Sequence, residues 1–313
     1  MNGRIGFLLV VLGLQLVLIA ALWWQGGADA PQSSQLLAFD QAEVTRIRIT
    51  ERDSQDAPLL LERTDGGWVS DDLPVAEPRV QQLLERLAGL DSPWPVATTA
   101  AAAERFEVTD DGYAKYIELL ADEQPVAQLL LGTSPGFKRI HARVPDQEAI
   151  YSIALTSLDA PVAFSEWLDK SLLASSLQVR RIARLEHWEA VRDETSVSTE
   201  SGADSAWSLR ALDSPAAPSG VAGDAKAIAT LLERFTNLQV LGGGDLAGQQ
   251  IDRFELQSDS ETLGYTLYHD VEADVFTIAR DDRAGRYELA GYLAEQLRAD
   301  LGNLVQAPTA GDE

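Results

Sequence analysis

The most informative absence in this sequence is cysteine, which does not occur once in 313 residues. Without a thiol, the chain forms no disulfide bond, binds no zinc through thiolates, holds no iron–sulfur cluster and has no cysteine nucleophile. Lipidation at an N-terminal cysteine is excluded for the same reason. A chain without thiols is also compatible with an oxidising compartment, because it has no free thiol to be oxidised there.

Positively charged residues are also scarce. The chain has 25 Lys and Arg residues against 49 Asp and Glu residues, so its formal net charge is −24. A field of this sign repels phosphates, and nucleic acid is therefore not an expected partner. The acidity is typical of a well-solvated surface. Apolar residues make up 45 % of the chain, which supplies the core of one large domain or two smaller ones.

Local motifs of known catalytic sites are also missing. The chain has no G-x-S-x-G, no H-E-x-x-H, no G-x-x-x-x-G-K-[ST] and no EF-hand loop. Residues 132–138, GTSPGFK, fall one short of a phosphate-binding loop, so a turn between strands is the better interpretation. Residues 242–248, GGGDLAG, follow a predicted helix, which favours a flexible connector over a dinucleotide loop. We therefore expect no catalytic residues, no cofactor and no metal site.

One long apolar run stands out from the rest of the chain. Residues 5–24, IGFLLVVLGLQLVLIAALWW, contain no charge and a single amide, Gln15. Twenty helical residues match the hydrocarbon core of a bilayer, which is about 30 Å thick. Arg4 precedes the run and Asp29 is the first acidic residue after it, so the positive-inside rule places the N-terminus in the cytoplasm. We predict a transmembrane anchor at 1–25 and a linker at 26–38.

A cleaved signal peptide is the alternative interpretation of this run. Ala28-Asp29-Ala30 has the small-x-small pattern that a signal peptidase accepts. The run is longer than a usual signal core of about 7–15 residues, which favours an uncleaved anchor. The anchor interpretation predicts a single-pass membrane protein with its N-terminus in the cytoplasm and the bulk of the chain outside.

The remainder of the chain has the same order of elements twice. VQQLLERLAGL at 80–90 returns as IATLLERFTNL at 228–238, and both carry apolar residues along one helical stripe. A strand at 44–50 and a tryptophan strand at 67–70 precede the first helix, and similar segments at 179–185 and 206–209 precede the second. A strand pair, two further strands and a helical tail, at 164–173 and 292–301, follow each helix.

This duplication predicts an α+β fold in which the N-terminal transmembrane helix is followed by two repeated lobes, each an antiparallel sheet packed with helices. The predicted boundaries are 39–174 for the first repeat and 175–305 for the second. A disordered tail is predicted at 306–313. Oligomeric state and the relative orientation of the repeats are not encoded in any motif.

Candidate binding residues are few. The three histidines, at positions 141, 187 and 269, occur singly on predicted strands, without the paired spacing of a metal site. His141 and Arg143 share the polar phase of one strand, and they are the candidate residues for binding a ligand or partner. Five tryptophans are assigned to the sheet cores rather than to sugar stacking: Trp68, Trp94, Trp167, Trp188 and Trp207.

Several of these segments together resemble a bacterial family, domain of unknown function 4340. The resemblance covers most of residues 39–173, with a weaker second copy at 177–304. It rests on the strand at 44–49, Gly66-Gly67-Trp68, LLERL at 83–87, Leu131-Gly132, the strand at 139–144, and Ile150-Tyr151 followed by DKSLL at 169–173. One departure is Phe106-Glu107-Val108, where such proteins commonly show Phe-Gly-Leu.

The resemblance implies a non-enzymatic extracytoplasmic component associated with an ABC-type export system of the kind linked to gliding motility. Its expected partners are the permease and ATPase subunits, and the membrane through the anchor. A periplasmic module that holds a small molecule, peptide or glycan between the lobes is the alternative hypothesis. A carboxylate-based hydrolase is a third.

Overall fold

The computed structural model describes residues 15, 34–52, 54, 57–92, 94–185, 187–192, 207–212, 221–222, 224–244 and 246–304. Apart from Gln15, the predicted anchor at 1–25 lies outside these residues, as do positions 26–33 of the linker and the tail at 306–313. Within the described ranges, no helix combines the length and the apolar character needed to cross a membrane.

The first copy of the repeat contains ten strands and two helices. In chain order they are β1 (Ser34–Gln35), β2 (Arg46–Glu51), β3 (Leu59–Thr64), β4 (Gly67–Ser70), β5 (Leu73–Pro74), α1 (Glu77–Ala88), β6 (Asp91–Ser92), α2 (Ala100–Arg105), β7 (Lys115–Ala121), β8 (Gln124–Leu131), β9 (Ile140–Arg143) and β10 (Ile150–Ile153). Two 3-10 turns follow, at Ser157–Asp159 and Phe164–Glu166.

The second copy contains nine described strands and two helices. They are β11 (Arg181–Arg184), β12 (Trp188–Arg192), β13 (Trp207–Ala211), β14 (Val221–Ala222), α3 (Ala225–Thr236), β15 (Gly242–Gly244), β16 (Gln249–Gln257), β17 (Thr262–Asp270), β18 (Val275–Arg280), β19 (Arg286–Leu289) and α4 (Gly291–Asn303).

Strand order confirms the duplication. The first large sheet has the order β10-β9-β8-β7-β2-β3-β4-β5, and the second has β19-β18-β17-β16-β11-β12-β13-β14 with β15 added beside β19. Each strand of the first sheet thus has a counterpart at the same place in the second. The fold is α+β and mostly β, with two lobes built on antiparallel sheets, as the sequence predicts.

The repeated helical stripe is buried in both copies. The stripe of the first copy is at most 4 % exposed; it consists of Val80, Leu83, Leu84 and Leu87 in α1, and of Leu90 two residues after the helix. In α3, the Asp224 side chain accepts hydrogen bonds from the backbone N–H groups of residues 226 and 227, as expected of an N-cap. The helix is therefore amphipathic in each copy because one face closes the core against its sheet.

Contact density divides the chain into two compact units. The first takes in the described residues of Met1–Val44, Glu51–Gln55 and Leu83–Ala160; the second takes in those of Thr45–Thr50, Asp56–Gln82 and Pro161–Glu313. The β4–β5 hairpin therefore packs with the second unit. The boundaries at 39–174 and 175–305 describe the sequence repeat, and as domain limits they stay a prediction.

Two local predictions are wrong. The tail at 164–173 is not a helix beyond the short 3-10 turn, since the Asp169 carboxylate accepts a hydrogen bond from the Ser171 N–H and the local turn competes with helix formation. The glycine run at 242–244 is not a flexible connector. It forms β15, in which Gly243 pairs with Tyr287 of β19.

The turn at the end of α2 contains Glu107, at the place where proteins of the resembled family commonly have glycine. Glu107 lies at φ +57°, in the left-handed region that favours glycine. Its N–H donates to Glu104 O, and the Val108 N–H donates to Ala103 O. These two bonds form a Schellman motif with Glu107 at the position where glycine is usual. The tight turn is thus present although the glycine is not.

We expect Glu107→Gly to stabilise the protein. Removing the side chain relieves about 1 kcal/mol of left-handed strain, an amount that the greater freedom of glycine in the unfolded chain reduces but does not cancel. Urea unfolding measures the gain. Glu104→Gly is the matched control, because the same change within α2 should instead cost about 1 kcal/mol. A loss of stability in Glu107→Gly would contradict the Schellman assignment.

Candidate functional site

A cleft with a volume of about 990 Å³ lies within the second unit. Its walls come from the β4–β5 turn, the segment around β15, and the turn between β18 and β19. Most of the lining is small or backbone: glycines at 243, 244, 248 and 285 and alanines at 247, 279 and 284. The cleft is open to solvent and exposes backbone groups that can bond a ligand.

A tight turn places one wall of this cleft. Asp71 and Asp72 lie at φ +48° and +64° between paired strands, which is the geometry of a two-residue type I′ hairpin turn. The turn directs Leu73 into the hydrophobic core of the second unit, where it is 6 % exposed. A Cβ on Gly285, which has φ +84°, would lie 2.3 Å from Leu73 Cδ2. Glycine at 285 therefore makes room for the leucine.

Arg286 is the cation of this cleft. Its guanidinium lies 3.8 Å from the centroid of the Tyr268 ring, and Nη1 donates to Leu246 O at 3.1 Å. Asp71 and Asp72 are exposed and also line the cleft. The cleft thus combines a fixed cation with two acidic residues, an arrangement suited to holding a polar molecule.

The predicted binding residue His141 lies in the first unit, on β9, and is 8 % exposed. Its ring stacks on Phe106 with centroids 4.0 Å apart, and Nδ1 lies 3.0 Å from Thr133 Oγ1. Its role as a binding residue for a ligand or partner stays a prediction. Both contacts tie β9 to neighbouring loops.

Arg143, two residues further along β9, is 9 % exposed. Its Nε donates to Val108 O at 2.5 Å, Nη1 to Gln147 O at 3.1 Å and Nη2 to Asp110 Oδ1 at 2.6 Å. One edge of the side chain lines a cavity of about 380 Å³. Because all three guanidinium nitrogens have partners within the chain, Arg143 fastens the loop after α2 to the sheet.

Burial gives His141 a testable pH dependence. Desolvation lowers the pKa of His141 from 6.5, and the charge of Arg105 adds to this, while the backbone hydrogen bond at Thr133 opposes it. The folded state therefore binds this proton less readily than the unfolded state, so stability present above pH 6.5 is lost as the pH falls.

We expect His141→Phe to weaken this acid sensitivity. Urea unfolding at pH 7 and pH 5 should show a smaller drop in the free energy of unfolding for the variant than for the wild type, whatever its stability at pH 7. His187→Phe removes an exposed histidine and is the control; it should keep the loss that is due to His141. An unchanged pH dependence in His141→Phe would contradict the assignment.

An ion pair between a buried arginine and an exposed aspartate in the second unit was not found by the sequence analysis. Arg280, 5 % exposed, donates from Nε and Nη2 to the two carboxylate oxygens of Asp282 at 2.6 and 3.0 Å, and from Nη1 to Ala174 O. Burial raises the pKa of Asp282, but the hydrogen bonds and charge of Arg280 outweigh it and hold that pKa below its usual value. The sequence Asp281-Asp282 is typical of a turn, and only the fold shows that Asp282 binds Arg280.

Two further kinds of site can be looked for in the structure, namely metal sites and tryptophans that are exposed for stacking. No group of three His, Asp or Glu side chains within the described ranges is placed to hold a metal ion. Four of the five tryptophans are at most 6 % exposed and belong to the cores, as predicted; these are residues 68, 167, 188 and 207. Trp94 is the exception, because it is 80 % exposed.

Comparison with known proteins gives one match. Residues 68–258 match the family described as Domain of unknown function (DUF4340), a span that includes most of both copies of the repeat. No curated protein matches the chain, and no solved structure does.

Proposed function

Given that the chain belongs to the DUF4340 family, we propose that it is a membrane-anchored extracytoplasmic component that assists an ABC-type transport system without catalysing a reaction. Its anchor is the apolar run at 5–24, its N-terminus is cytoplasmic, and the bulk of the chain is periplasmic in the bacterial inner membrane. The permease and ATPase subunits of the transporter are its partners.

The observation that carries the proposal is the placement of the apolar run. It ends nine residues before β1, so any membrane segment and the duplicated β region are joined by a short tether. A component held in this way stays close to a permease in the same membrane, which raises their effective concentration. A phosphate-binding loop is absent from the sequence, so ATP hydrolysis belongs to another chain.

The candidate residues also support a non-catalytic role. Thr133 contacts Nδ1 of His141, Arg143 directs all three guanidinium nitrogens to partners in the first unit, and Arg280 does the same in the second. These contacts join loops to strands, which is a structural role. The duplicated sheets provide edges and faces for a protein partner instead.

Crosslinking in native membranes, followed by affinity purification of the full-length protein, tests this function. We expect a permease and its ATPase to be recovered together with the chain. Replacing Leu12 and Leu16 with arginine should abolish membrane fractionation and co-purification, because charges at the centre of a span are costly. The matched control replaces both with isoleucine and should keep both. Recovery of the wild-type chain alone, in a detergent that preserves such complexes, would contradict the proposal.

We also propose ligand binding in the cleft of the second unit as a second candidate function. Its volume of about 990 Å³ is that of a small-molecule site, and its fixed cation, Arg286, suits an anionic group. A thermal-shift screen of anionic metabolites, short peptides and oligosaccharides tests it. Arg286→Gln should abolish any shift found with the wild type, and Arg298→Gln, at an exposed site on α4, should not. A shift that survives Arg286→Gln would move the site elsewhere.

A further inference from the structure

The three most exposed large apolar side chains among the described residues are Phe137 at 87 %, Trp94 at 80 % and Leu158 at 80 %. They come from three different loops, and all three loops belong to the first unit. Single exposed apolar residues are ordinary on a protein surface. Three such side chains from separate loops of one unit are unusual, and exposed apolar side chains of this kind often mark a contact surface.

A groove of about 410 Å³ brings these loops together. Asp91 lines it three residues before Trp94, Arg139 lines it two residues after Phe137, and Ala154 lines it four residues before Leu158. Each of the three exposed apolar residues thus lies within four residues, along the chain, of a residue that lines the groove. We call this region the apolar corner.

Hydrogen bonds fix the arrangement of the loops. The Val96 N–H donates to Ile150 O at 2.8 Å and the Ile150 N–H donates to Ala97 O at 2.9 Å, so the segment from Trp94 runs antiparallel to β10. Trp94 consequently lies toward the end of β10 at Ile153. Ile153 pairs with Ile140, where the hairpin bearing Phe137 begins.

Two further bonds hold the rim in place. The Arg139 Nε donates to Ser152 Oγ at 2.9 Å, which ties the Phe137 hairpin to β10. The Arg86 guanidinium forms an ion pair with Asp159, the residue after Leu158.

The corner is also locally basic. Lys138 and Arg139 are exposed beside Phe137, and Arg86 is exposed at the groove, where it pairs with Asp159. With Asp91 counted as well, three cations stand against two carboxylates, whereas the chain as a whole carries a net charge of −24. The Lys138 ammonium lies 5.0 Å from the centroid of the Phe137 ring. Exposed aromatic rings next to cations are the side chains that the headgroup region of a bilayer accommodates best.

The path of the chain connects this corner to the apolar run. β1 pairs with β6, with Ser34 opposite Ser92, two residues from Trp94. Eight residues, 26–33, separate Ser34 from the end of the predicted anchor at 25, and eight extended residues reach about 29 Å at most. The tether therefore ends at the apolar corner.

We propose that the apolar corner is a membrane-contact surface that inserts Trp94, Phe137 and Leu158 into the headgroup region of the bilayer, with Lys138 and Arg139 contacting anionic lipid phosphates. The proposal rests on the membrane anchoring put forward above. The corner would fix the orientation of the first unit on the membrane, since a tether alone leaves a domain free to rotate.

The lack of cysteine allows a direct test by site-directed spin labelling. The full-length chain carrying Phe137→Cys is labelled with a nitroxide and placed in nanodiscs of phosphatidylcholine and phosphatidylglycerol. Collision with oxygen, which concentrates in lipid, is compared with collision with a water-soluble nickel chelate. Glu123→Cys is the matched control, because Glu123 is exposed in the turn at the opposite end of β8.

We expect the label at 137 to gain collisions with oxygen and lose collisions with the nickel chelate relative to the label at 123. Lys138→Glu should reduce this difference in the anionic nanodiscs. Equal, aqueous accessibility at 137 and 123 would overturn the membrane-contact proposal while leaving anchoring intact. Shielding of 137 from both reagents, seen only in native membranes, would overturn it in favour of a protein partner. A chain that does not co-elute with nanodiscs would overturn the anchoring as well.

Discussion

Gly132→Ala is expected to lower the free energy of unfolding by about 3 kcal/mol, near the upper end of the range for over-packing. An added Cβ at this position would lie 1.9 Å from Phe106 O and 2.5 Å from Glu107 O. Both are backbone atoms of the turn that ends α2, and the Thr133 N–H also donates to Phe106 O at 2.9 Å. Because neither the strand end nor the turn can move without breaking these bonds, the clash cannot be relieved cheaply.

The control for this change is Gly136→Ala in the same hairpin. A Cβ at 136 meets nothing within 4 Å, so the cost should stay below about 0.5 kcal/mol. Urea unfolding of both variants measures the difference. Equal stabilities of the two variants would contradict the close contact between Gly132 and the backbone of the turn after α2.

Trp188→Ala is expected to cost about 3–5 kcal/mol, the range for emptying a buried aromatic site. Trp188 is 1 % exposed in the core of the second unit, and its Nε1 donates to Leu301 O at 3.1 Å in α4. The variant therefore loses apolar packing and leaves a buried carbonyl unpaired.

Trp94→Ala is the matched control, because it removes the same side chain from a position that is 80 % exposed. Its cost should be within about 0.5 kcal/mol when unfolding is measured without lipid. Trp188→Phe, which keeps most of the ring volume, should fall between the two. A cost near zero for Trp188→Ala would contradict the assignment of Trp188 to the core.

The sequence predicted the repeat because each helix carries its own periodic signal. Leu83 and Leu231 occupy the same place on the stripe, and the spacing of their neighbours is a property of one helix. The two lobes of antiparallel sheet followed from the same comparison. The strands β3 and β12 were missed, although both pair with predicted strands. Their burial becomes visible only when their neighbours are in place.

The sites were harder to predict, because they depend on residues far apart in sequence. His141 and Arg143 were selected for polar phase on a strand, and the structure buries both through contacts with the loops after α2 and β8. Leu73 occupies space that Gly285 leaves open, and no local motif links these two positions. Trp94 was assigned to the core with four other tryptophans. Its neighbours Pro93 and Pro95 distinguish it from them, because proline on both sides is typical of a loop.

The matched strand orders of the two sheets have a consequence for how the chain folds. In the second sheet, β11 must find β16, with Arg181 opposite Gln257, and four described strands and a helix lie between them in sequence. Such distant pairing pays loop-closure entropy before any bond forms, so folding is expected to be slow. Because the first copy contains a β7 at the place equivalent to β16, each newly made strand meets two similar edges. Synthesis from the N-terminus reduces this risk, since the first copy emerges from the ribosome before its competitor exists.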